Sequence, residues 1–270
     1  MSKILTDLNL ARRLERAEGM ANAAFVEARA RLQPESGAQW IEVAGAYAMY
    51  DQPGSPSTQT FGLGLFQMPV PVDFERIESF FRERGSEVHH EICPLADKAL
   101  LGVLGDRGYR PIELTSVLFL TLEGRDRSLH ETRVQVRLAR EEEQDLWART
   151  LAAGWKDIVD MPGLTDLMRA SASRQGFLPF LGELDGRPVA AGGMSIHDGV
   201  ALLAGASTIP EWRHRGAQGA LLQSRLDYAA QAGCDLAMIG AEPGSASQRN
   251  AERQGFRIAY TRIKWALRQD

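Results

Sequence analysis

The chain has 270 residues, of which 44% are hydrophobic and 24% charged, and its formal net charge is -4. This balance is typical of an ordinary globular protein; it argues against a disordered or fibrous chain and disfavours a nucleic-acid-coating role. The length predicts about two domains of roughly 100 to 150 residues each. Because Cys93 and Cys234 are isolated and far apart, we expect neither a disulfide scaffold nor a structural zinc site.

The N-terminal segment does not have the pattern of a signal peptide. Charges at Arg12, Arg13, Glu15 and Arg16 stand where a signal peptide needs its apolar run, and the sequence has no stretch of about 18 uninterrupted apolar residues. We therefore expect a cytoplasmic protein with no membrane partner. The acidic overall charge and the lack of an evident basic stripe with interleaved aromatics predict no nucleic-acid partner.

The first half of the chain is predicted to begin with a long amphipathic helix over residues 8–32, because its apolar residues recur with helical spacing. The elements predicted next are strands at 40–49 and 60–66, a helix capped by Asp73 and ended by Gly85, a strand at 88–93, a helix at 96–104 and a strand at 114–122. The charged stretch 123–128 is poor in apolar residues, so we place the boundary between two domains there, at residues 1–125 and 130–270.

The second half repeats the same order of elements. The predicted elements are a strand at 134–138, helices at 141–155 and 164–174, a hairpin of 177–184 with 189–196, a strand at 200–209, a helix at 218–232, a strand at 235–242, a helix at 245–254 and a last strand at 260–267. Asp185-Gly186 is a good two-residue turn for the hairpin. The sequence therefore predicts an α/β (α+β) protein.

The ends of the two halves resemble each other in sequence. Residues 91–94, Glu-Ile-Cys-Pro, correspond to residues 240–243, Gly-Ala-Glu-Pro, and residues 107–110, Arg-Gly-Tyr-Arg, to residues 254–257, Gln-Gly-Phe-Arg. Each half thus runs strand, proline, short helix, glycine-aromatic-arginine, strand. We interpret this pattern as an internal duplication in preference to chance similarity between two αβ segments.

The segment from Leu203 to Leu222 is the most informative part of the sequence. An apolar strand stops at Pro210, a basic loop follows, and a helix begins at once. Backbone N–H groups at a helix N-terminus are unpaired and carry partial positive charge, so such a loop can hold a diphosphate. Gly216 and Gly219 allow close approach of the backbone, and residues 213–215, Arg-His-Arg, supply charge. The alternative is a solvated connection.

This loop and the helix after it resemble motif A of the GNAT superfamily of acyl-CoA-dependent N-acyltransferases, whose signature is Gln/Arg-x-x-Gly-x-Gly/Ala. Arg213 and Gly216 occupy the first two signature positions, while Gln218 departs from the third. The resemblance covers about residues 132–267. The first half is similar only in its order of elements, because segment 67–73, at the place of the loop, has two prolines and no glycine.

The resemblance implies two tandem GNAT-like domains, each a mixed, mostly antiparallel sheet flanked by helices, of which the first is degenerate. It implies acetyl transfer from acetyl-CoA to a primary amine of a small molecule or peptide, by direct attack in a ternary complex and without a metal. The pantetheine would pair with the strand before the loop, where a main-chain N–H would meet the thioester oxygen. The residues implied for this strand are Ala206, Ser207 and Thr208, and those implied for the diphosphate are Arg213, His214, Arg215, Gly216, Ala217, Gln218 and Gly219.

The groups that move protons are less evident from the pattern. Many GNAT enzymes carry a tyrosine acid where this chain has Ala251, so the usual acid is missing. We expect Asn250 to orient the pantetheine arm, and Ser245 or Ser247 to pass a proton through water. For the base, Glu242 has the best position, since ligands meet the carboxyl ends of the central strands in open αβ sheets. Glu183 and the pair His197 and Asp198 are alternatives.

Two other functions fit the same sequence. Without the tyrosine, the chain could bind acyl-CoA as a sensor or scaffold with no turnover, and steady thiol release with an amine distinguishes the two. Some tandem GNAT-like proteins use aminoacyl-tRNA, so an aminoacyl or peptidyl transferase is the third reading. The acidic charge of the chain argues against it.

Overall fold

The computed structural model describes residues 4–124, 133–158 and 160–267. The chain divides into two compact units, one of Met1–Leu120 with Met238–Asp270, and one of Thr121–Ala237. Among the described residues, no helix is both long enough and apolar enough to cross a membrane.

The elements follow the order that the sequence predicts. Up to the boundary they are α1 (Leu8–Leu32), β1 (Gln39–Val43), β2 (Ala46–Tyr50), β3 (Gln59–Phe61), α2 (Pro71–Arg82), β4 (His89–Ile92), α3 (Ala99–Asp106) and β5 (Tyr109–Thr121). After it they are β6 (Gln135–Leu138), α4 (Gln144–Trp155), α5 (Leu164–Ala172), β7 (Phe177–Leu184), β8 (Arg187–His197), β9 (Val200–Thr208), α6 (Ala217–Gln231), β10 (Leu236–Ala241), α7 (Ala246–Arg253) and β11 (Arg257–Leu267). These helices and mostly antiparallel strands confirm the predicted fold class.

The last strand of the chain is part of the first unit. In that unit the strand order is β1-β2-β3-β4-β11-β5-β10, so β11 lies between β4 and β5 and pairs antiparallel with both. For this reason residues 238–270 group with the first unit, whereas the division by sequence places them with the second half. The domain limits 1–125 and 130–270 describe two consecutive halves of the sequence, and they stay a prediction.

Three local predictions for the first half were wrong. The predicted strand 60–66 ends at Phe61, because Gly62 and Gly64 have positive φ, 78° and 72°, and turn the chain. The apolar run 40–49 is two strands, β1 and β2, because Ala44 and Gly45 both have positive φ, 50° and 76°, and turn the chain. Asp73 is not the cap of α2 but its third residue, and its carboxylate accepts the Val70 N–H at 2.9 Å. Helix α2 begins at Pro71, before the predicted cap, because proline is favoured at the first position of a helix. The N–H that proline lacks would have no partner within the helix at that position.

A buried charged cluster lies between α1 and β11 in the first unit. The Glu15 carboxylate accepts the Tyr260 hydroxyl at 2.8 Å, and Arg262 lies 3.4 Å from Glu15 and 2.8 Å from Glu18. Arg262 also lies 3.5 Å from Glu91 of β4, so three carboxylates surround one guanidinium. Burial raises the pKa of Glu15 to about 7, although Arg262 opposes this shift.

The Glu15 cluster makes the stability of the first unit depend on pH. Between its ordinary pKa of 4.5 and about 7, Glu15 ionises in the unfolded chain but resists ionisation in the folded one. The free energy of unfolding should therefore fall as the pH rises through this range, by up to about 3 kcal/mol from this group. In Glu15→Gln this contribution is absent, so urea unfolding between pH 4.5 and pH 7.5 should show a flatter profile than for the wild type.

Glu35→Gln is the control for that measurement, because Glu35 is exposed. It should keep the pH dependence of the wild type. Parallel profiles for the wild type and Glu15→Gln would show that the buried carboxyl titrates normally.

The second unit has the strand order β9-β8-β7-β6, in which all neighbours are antiparallel. Helices α4 and α5 cover one face, where Trp147, Phe177 and Leu181 are buried together. Helix α6 covers the other face, where Tyr228 meets Phe180 with ring centroids 5.7 Å apart. The hairpin between β7 and β8 turns at Asp185-Gly186 as predicted, with φ of 51° and 74°.

Candidate functional site

A bulge interrupts β9 just before the predicted pantetheine residues. Gly193 of β8 pairs with Ala204, and Gly192 pairs with Ala206, so Gly205 is an extra residue on β9. Its φ of 56° is in the left-handed region, which glycine adopts at little cost. The bulge changes the direction of the main chain at Ala206, Ser207 and Thr208, and the sequence analysis did not predict it.

Side chains from both faces of the sheet hold β8 opposite this bulge. The indole N–H of Trp147 on α4 donates to the Gly192 carbonyl at 3.0 Å, and the Arg225 guanidinium on α6 donates to the Gly193 carbonyl at 3.0 Å. Trp147 is 1% exposed and Arg225 is 4% exposed. Burial lowers the pKa of Arg225 to about 10. Two buried side chains thus donate hydrogen bonds to β8 opposite the bulge, which indicates that the fold stabilises the bulge specifically.

The basic loop ends in a glycine that caps α6. Gly216 is the N-cap residue with φ of 84°, and no side chain caps the helix. The N–H groups of the first turn, from Ala217 to Gly219, are therefore available to an anion. A Cβ atom built on Gly219 would meet nothing within 4 Å, so the surface beside this turn is open. His214 also has a positive φ, 62°, which bends the loop tightly before the helix.

Arg213 does not extend into solvent. Its guanidinium donates two hydrogen bonds of 2.7 Å to the two carboxylate oxygens of Asp157, one of 2.9 Å to the Gly154 carbonyl and one of 3.2 Å to the Thr208 carbonyl. The guanidinium lowers the pKa of the Asp157 carboxyl below its ordinary value. The Arg213 guanidinium, which the sequence analysis assigns to the diphosphate, is thus hydrogen-bonded to residues at the end of α4.

Gln218, which departs from the signature, connects α6 to β9. Its side-chain amide donates to the Thr208 hydroxyl at 2.9 Å. The Ser207 hydroxyl donates to the Leu151 carbonyl of α4 at 2.7 Å. Helix α4 approaches β9 closely because Gly154 has no side chain, since a Cβ atom there would lie 2.2 Å from the Ser207 hydroxyl oxygen. Ser207 and Thr208 therefore hold the end of β9 against α4 and α6 with their side chains.

The remaining loop cations are on the surface. His214 and Arg215 are exposed, and the Arg215 guanidinium lies 4.8 Å from the centre of the Trp212 ring. Arg215 is therefore held near the loop by a contact that leaves its N–H groups free for an anionic ligand.

The predicted residues after β10 belong to the first unit. Glu242 follows the end of β10 and is exposed, and its carbonyl accepts the Ser245 N–H at 3.1 Å. Ser245 caps α7, with its hydroxyl accepting the Gln248 N–H at 3.2 Å, while the Gln248 side chain accepts the N–H of Gly244. Asn250 is exposed and bonded to Arg253.

The alternative bases are paired with neighbouring charged groups. Glu183 accepts two hydrogen bonds from Arg137, at 3.1 and 2.6 Å. His197 lies 3.4 Å from Asp198 at the turn after β8. Among the base candidates, Glu242 alone forms no ion pair within the part of the chain that the structure describes. In the same part of the chain no three His, Cys, Asp or Glu side chains group as a metal would require.

A segment within the second half of the chain is similar to a known protein family. Residues 140–256 match the model of the acetyltransferase (GNAT) family. This segment contains β9, the basic loop and α6, and it extends to Phe256 before the last strand. No curated protein matches the chain in sequence.

Solved structures similar to the chain have the GNAT fold over most of its length. A GCN5-related N-acetyltransferase from Kribbella flavida has a TM-score of 0.65 at 20% identity, covering 92% of this chain and 96% of that one. One from Sphaerobacter thermophilus has a TM-score of 0.59 at 17% identity, covering 82% and 76%. A tandem GNAT protein from the clavulanic acid biosynthesis pathway has a TM-score of 0.54 at 11% identity, covering 81% and 72%. At these identities the likeness concerns the fold.

Proposed function

We propose that this chain is an N-acetyltransferase that moves an acetyl group from acetyl-CoA to a primary amine of a small molecule or peptide, because residues 140–256 match the model of the acetyltransferase (GNAT) family. The observation that carries the proposal is the sequence of a bulged strand, a basic loop and an uncapped helix N-terminus at Gly216. The bulge leaves Gly205 without a partner on β8 and bends the strand, and the helix N-terminus offers N–H groups to a diphosphate.

The cosubstrate fits the groups that the second unit offers. The N–H groups of Ala217, Gln218 and Gly219 would bind the diphosphate, with Arg215 and His214 beside them. The main chain of Ala206 to Thr208 would bind the pantetheine. Acetyl-CoA supplies the activated acetyl group as a thioester.

The chemistry left to the protein is proton transfer and charge stabilisation. A primary amine is protonated near neutral pH and must lose a proton before it can attack. We assign this step to Glu242, directly or through a water, because its carboxylate is exposed at the end of β10. A main-chain N–H of residues 206–208, with Thr208 nearest the loop, would stabilise the developing oxyanion.

The loop of the first half has features that oppose an anion. Val70 caps α2 and Pro71 follows it, so one backbone N–H is missing from the first turn. The Asp73 carboxylate already accepts the Val70 N–H at 2.9 Å and places a negative charge at this helix end. A phosphate there would be repelled by Asp73 and would find fewer donors.

Titration of the full chain with coenzyme A should therefore give one site per chain. Isothermal titration calorimetry measures the stoichiometry directly, and a parallel titration with acetyl-CoA should give the same number. Two equivalent sites would contradict the interpretation of the first half as degenerate. No binding of either compound would contradict the proposed function.

A further inference from the structure

We propose that Arg213 and Asp157 form a latch that positions the diphosphate loop against α4, so that Arg213 acts as a positioning residue and does not bind the diphosphate itself. This inference deepens the proposed function and rests on it. It assigns a role to Asp157, a residue that the motif does not contain, and it changes the role that the motif suggests for Arg213.

The latch joins three segments of the second unit at one guanidinium. Arg213 binds both carboxylate oxygens of Asp157 at 2.7 Å, the Gly154 carbonyl at the end of α4 at 2.9 Å, and the Thr208 carbonyl at the end of β9 at 3.2 Å. The Gly154 carbonyl is one of the last four of α4, which have no partner within the helix. Arg213 thus gives a hydrogen-bond donor to a free carbonyl at the C-terminus of α4, and its positive charge interacts favourably with the dipole of that helix. It also fixes the position at which β9 passes into the loop.

A second hydrogen bond holds the other end of the loop. The Gln218 side chain donates to the Thr208 hydroxyl at 2.9 Å. Thr208 therefore accepts a hydrogen bond from each end of the loop, from Arg213 at its carbonyl and from Gln218 at its hydroxyl. Between these two points lie His214 and Gly216, which both have positive φ. The loop conformation that frees the N–H groups of α6 is therefore fixed at both ends by side chains.

Four of the five N–H donors of Arg213 are used in this arrangement. Four hydrogen bonds occupy its Nε, Nη1 and Nη2 atoms, and a bidentate carboxylate neutralises its charge. To bind a phosphate through two parallel N–H groups, Arg213 would have to give up at least one of these hydrogen bonds. Arg215, which is exposed, is the loop arginine that can meet the diphosphate without breaking such contacts.

Asp157→Asn separates the latch from direct phosphate binding because the two roles predict opposite effects. If Arg213 bound the diphosphate, loss of the competing carboxylate would leave the affinity unchanged or increase it. If Arg213 is a latch, loss of the carboxylate weakens it, and the Kd for coenzyme A should rise by about fivefold, as expected for a half-exposed ion pair. Arg213→Met should have a similar effect, and the double variant should be little weaker than either single variant.

Asp185→Asn is the matched control. Asp185 lies in the same unit and pairs with Arg133 at 3.2 Å on the surface, and its φ of 51° is one that asparagine adopts readily. It should bind coenzyme A like the wild type. Arg213→Lys, which keeps the charge but not the bidentate geometry, should restore only part of the affinity lost in Arg213→Met.

Amide hydrogen exchange gives a readout that general destabilisation would not produce. In the wild type, coenzyme A should slow exchange at residues 151–158, because the latch connects the occupied loop to α4. In Asp157→Asn and Arg213→Met this protection should disappear at saturating coenzyme A, while protection of the first turn of α6 is kept. At saturation, kcat should change less than twofold in both variants.

The outcomes distinguish the latch from the proposed function. A wild-type chain that does not bind coenzyme A overturns both. A wild type that binds while Asp157→Asn binds equally or more tightly overturns the latch alone and assigns Arg213 to the diphosphate. Should Arg213→Met fail to fold, Asp157→Asn decides, since it replaces an exposed carboxylate with an isosteric amide.

Discussion

Replacing Gly216 with aspartate is expected to weaken coenzyme A binding by at least about tenfold, roughly 1.4 kcal/mol. Gly216 caps α6 with φ of 84°, a conformation that costs other residues about 1–2 kcal/mol. The new carboxylate would also stand beside the N–H groups that we assign to the diphosphate and would repel it. Calorimetric titration of the folded variant measures the loss.

Gly163→Asp is the control for the strain in Gly216→Asp. Gly163 is the N-cap residue of α5 in the same unit, with φ of 80°, and a Cβ atom there would meet nothing within 4 Å. It should cost similar stability and leave coenzyme A affinity unchanged. A folded Gly216→Asp with the affinity of the wild type would show that the loop is only a connection.

Glu242→Gln is expected to lower kcat by about 100-fold or more, with little change in coenzyme A affinity, because a general base contributes to the chemical step. The side chain is exposed at the end of β10, so the substitution should not harm folding. Activity of the wild type should rise with pH toward the apparent pKa of the bound amine, and steady-state rates across the pH range measure this rise. Unchanged kcat in Glu242→Gln would contradict the assignment.

Two further variants complete that test. Glu252→Gln changes an exposed carboxylate of α7 in the same unit and should keep wild-type kcat. Ala251→Tyr restores the missing hydroxyl, but Ala251 is 1% exposed, so a tyrosine would overpack its surroundings. We expect no gain in kcat from it. A large gain would mean that protonation of the leaving thiolate limits the rate.

The sequence was sufficient for the class and order of elements because hydrophobic periodicity and glycine positions determine them locally. The loop at Gly216 could be found for the same reason, since an uncapped helix start after a strand is a local pattern. Sequence reasoning assigned Arg213 to the ligand, because a loop arginine has no visible partner in the sequence. Its partners, Gly154 and Asp157, are more than fifty residues away.

Features that depend on strand pairing could not be predicted from one sequence. The bulge at Gly205 exists through its register with Gly192 and Gly193, and it is held by Trp147 and Arg225. Gly205 inside β9 and the adjacent glycines of β8 were the local signals of it. In the same way, the position of β11 between β4 and β5 is a property of the sheet order, which periodicity does not contain.

The measurement that tests the central claim most directly is release of free thiol from acetyl-CoA by the full chain, followed with a panel of primary amines. The proposed function predicts steady release that depends on one class of amine, with a mass spectrum showing one acetyl group on that amine, and near-complete loss of release in Gly216→Asp at low acetyl-CoA. A chain that binds acetyl-CoA but releases no thiol above the uncatalysed rate with any amine would contradict the claim and identify an acyl-CoA sensor or scaffold.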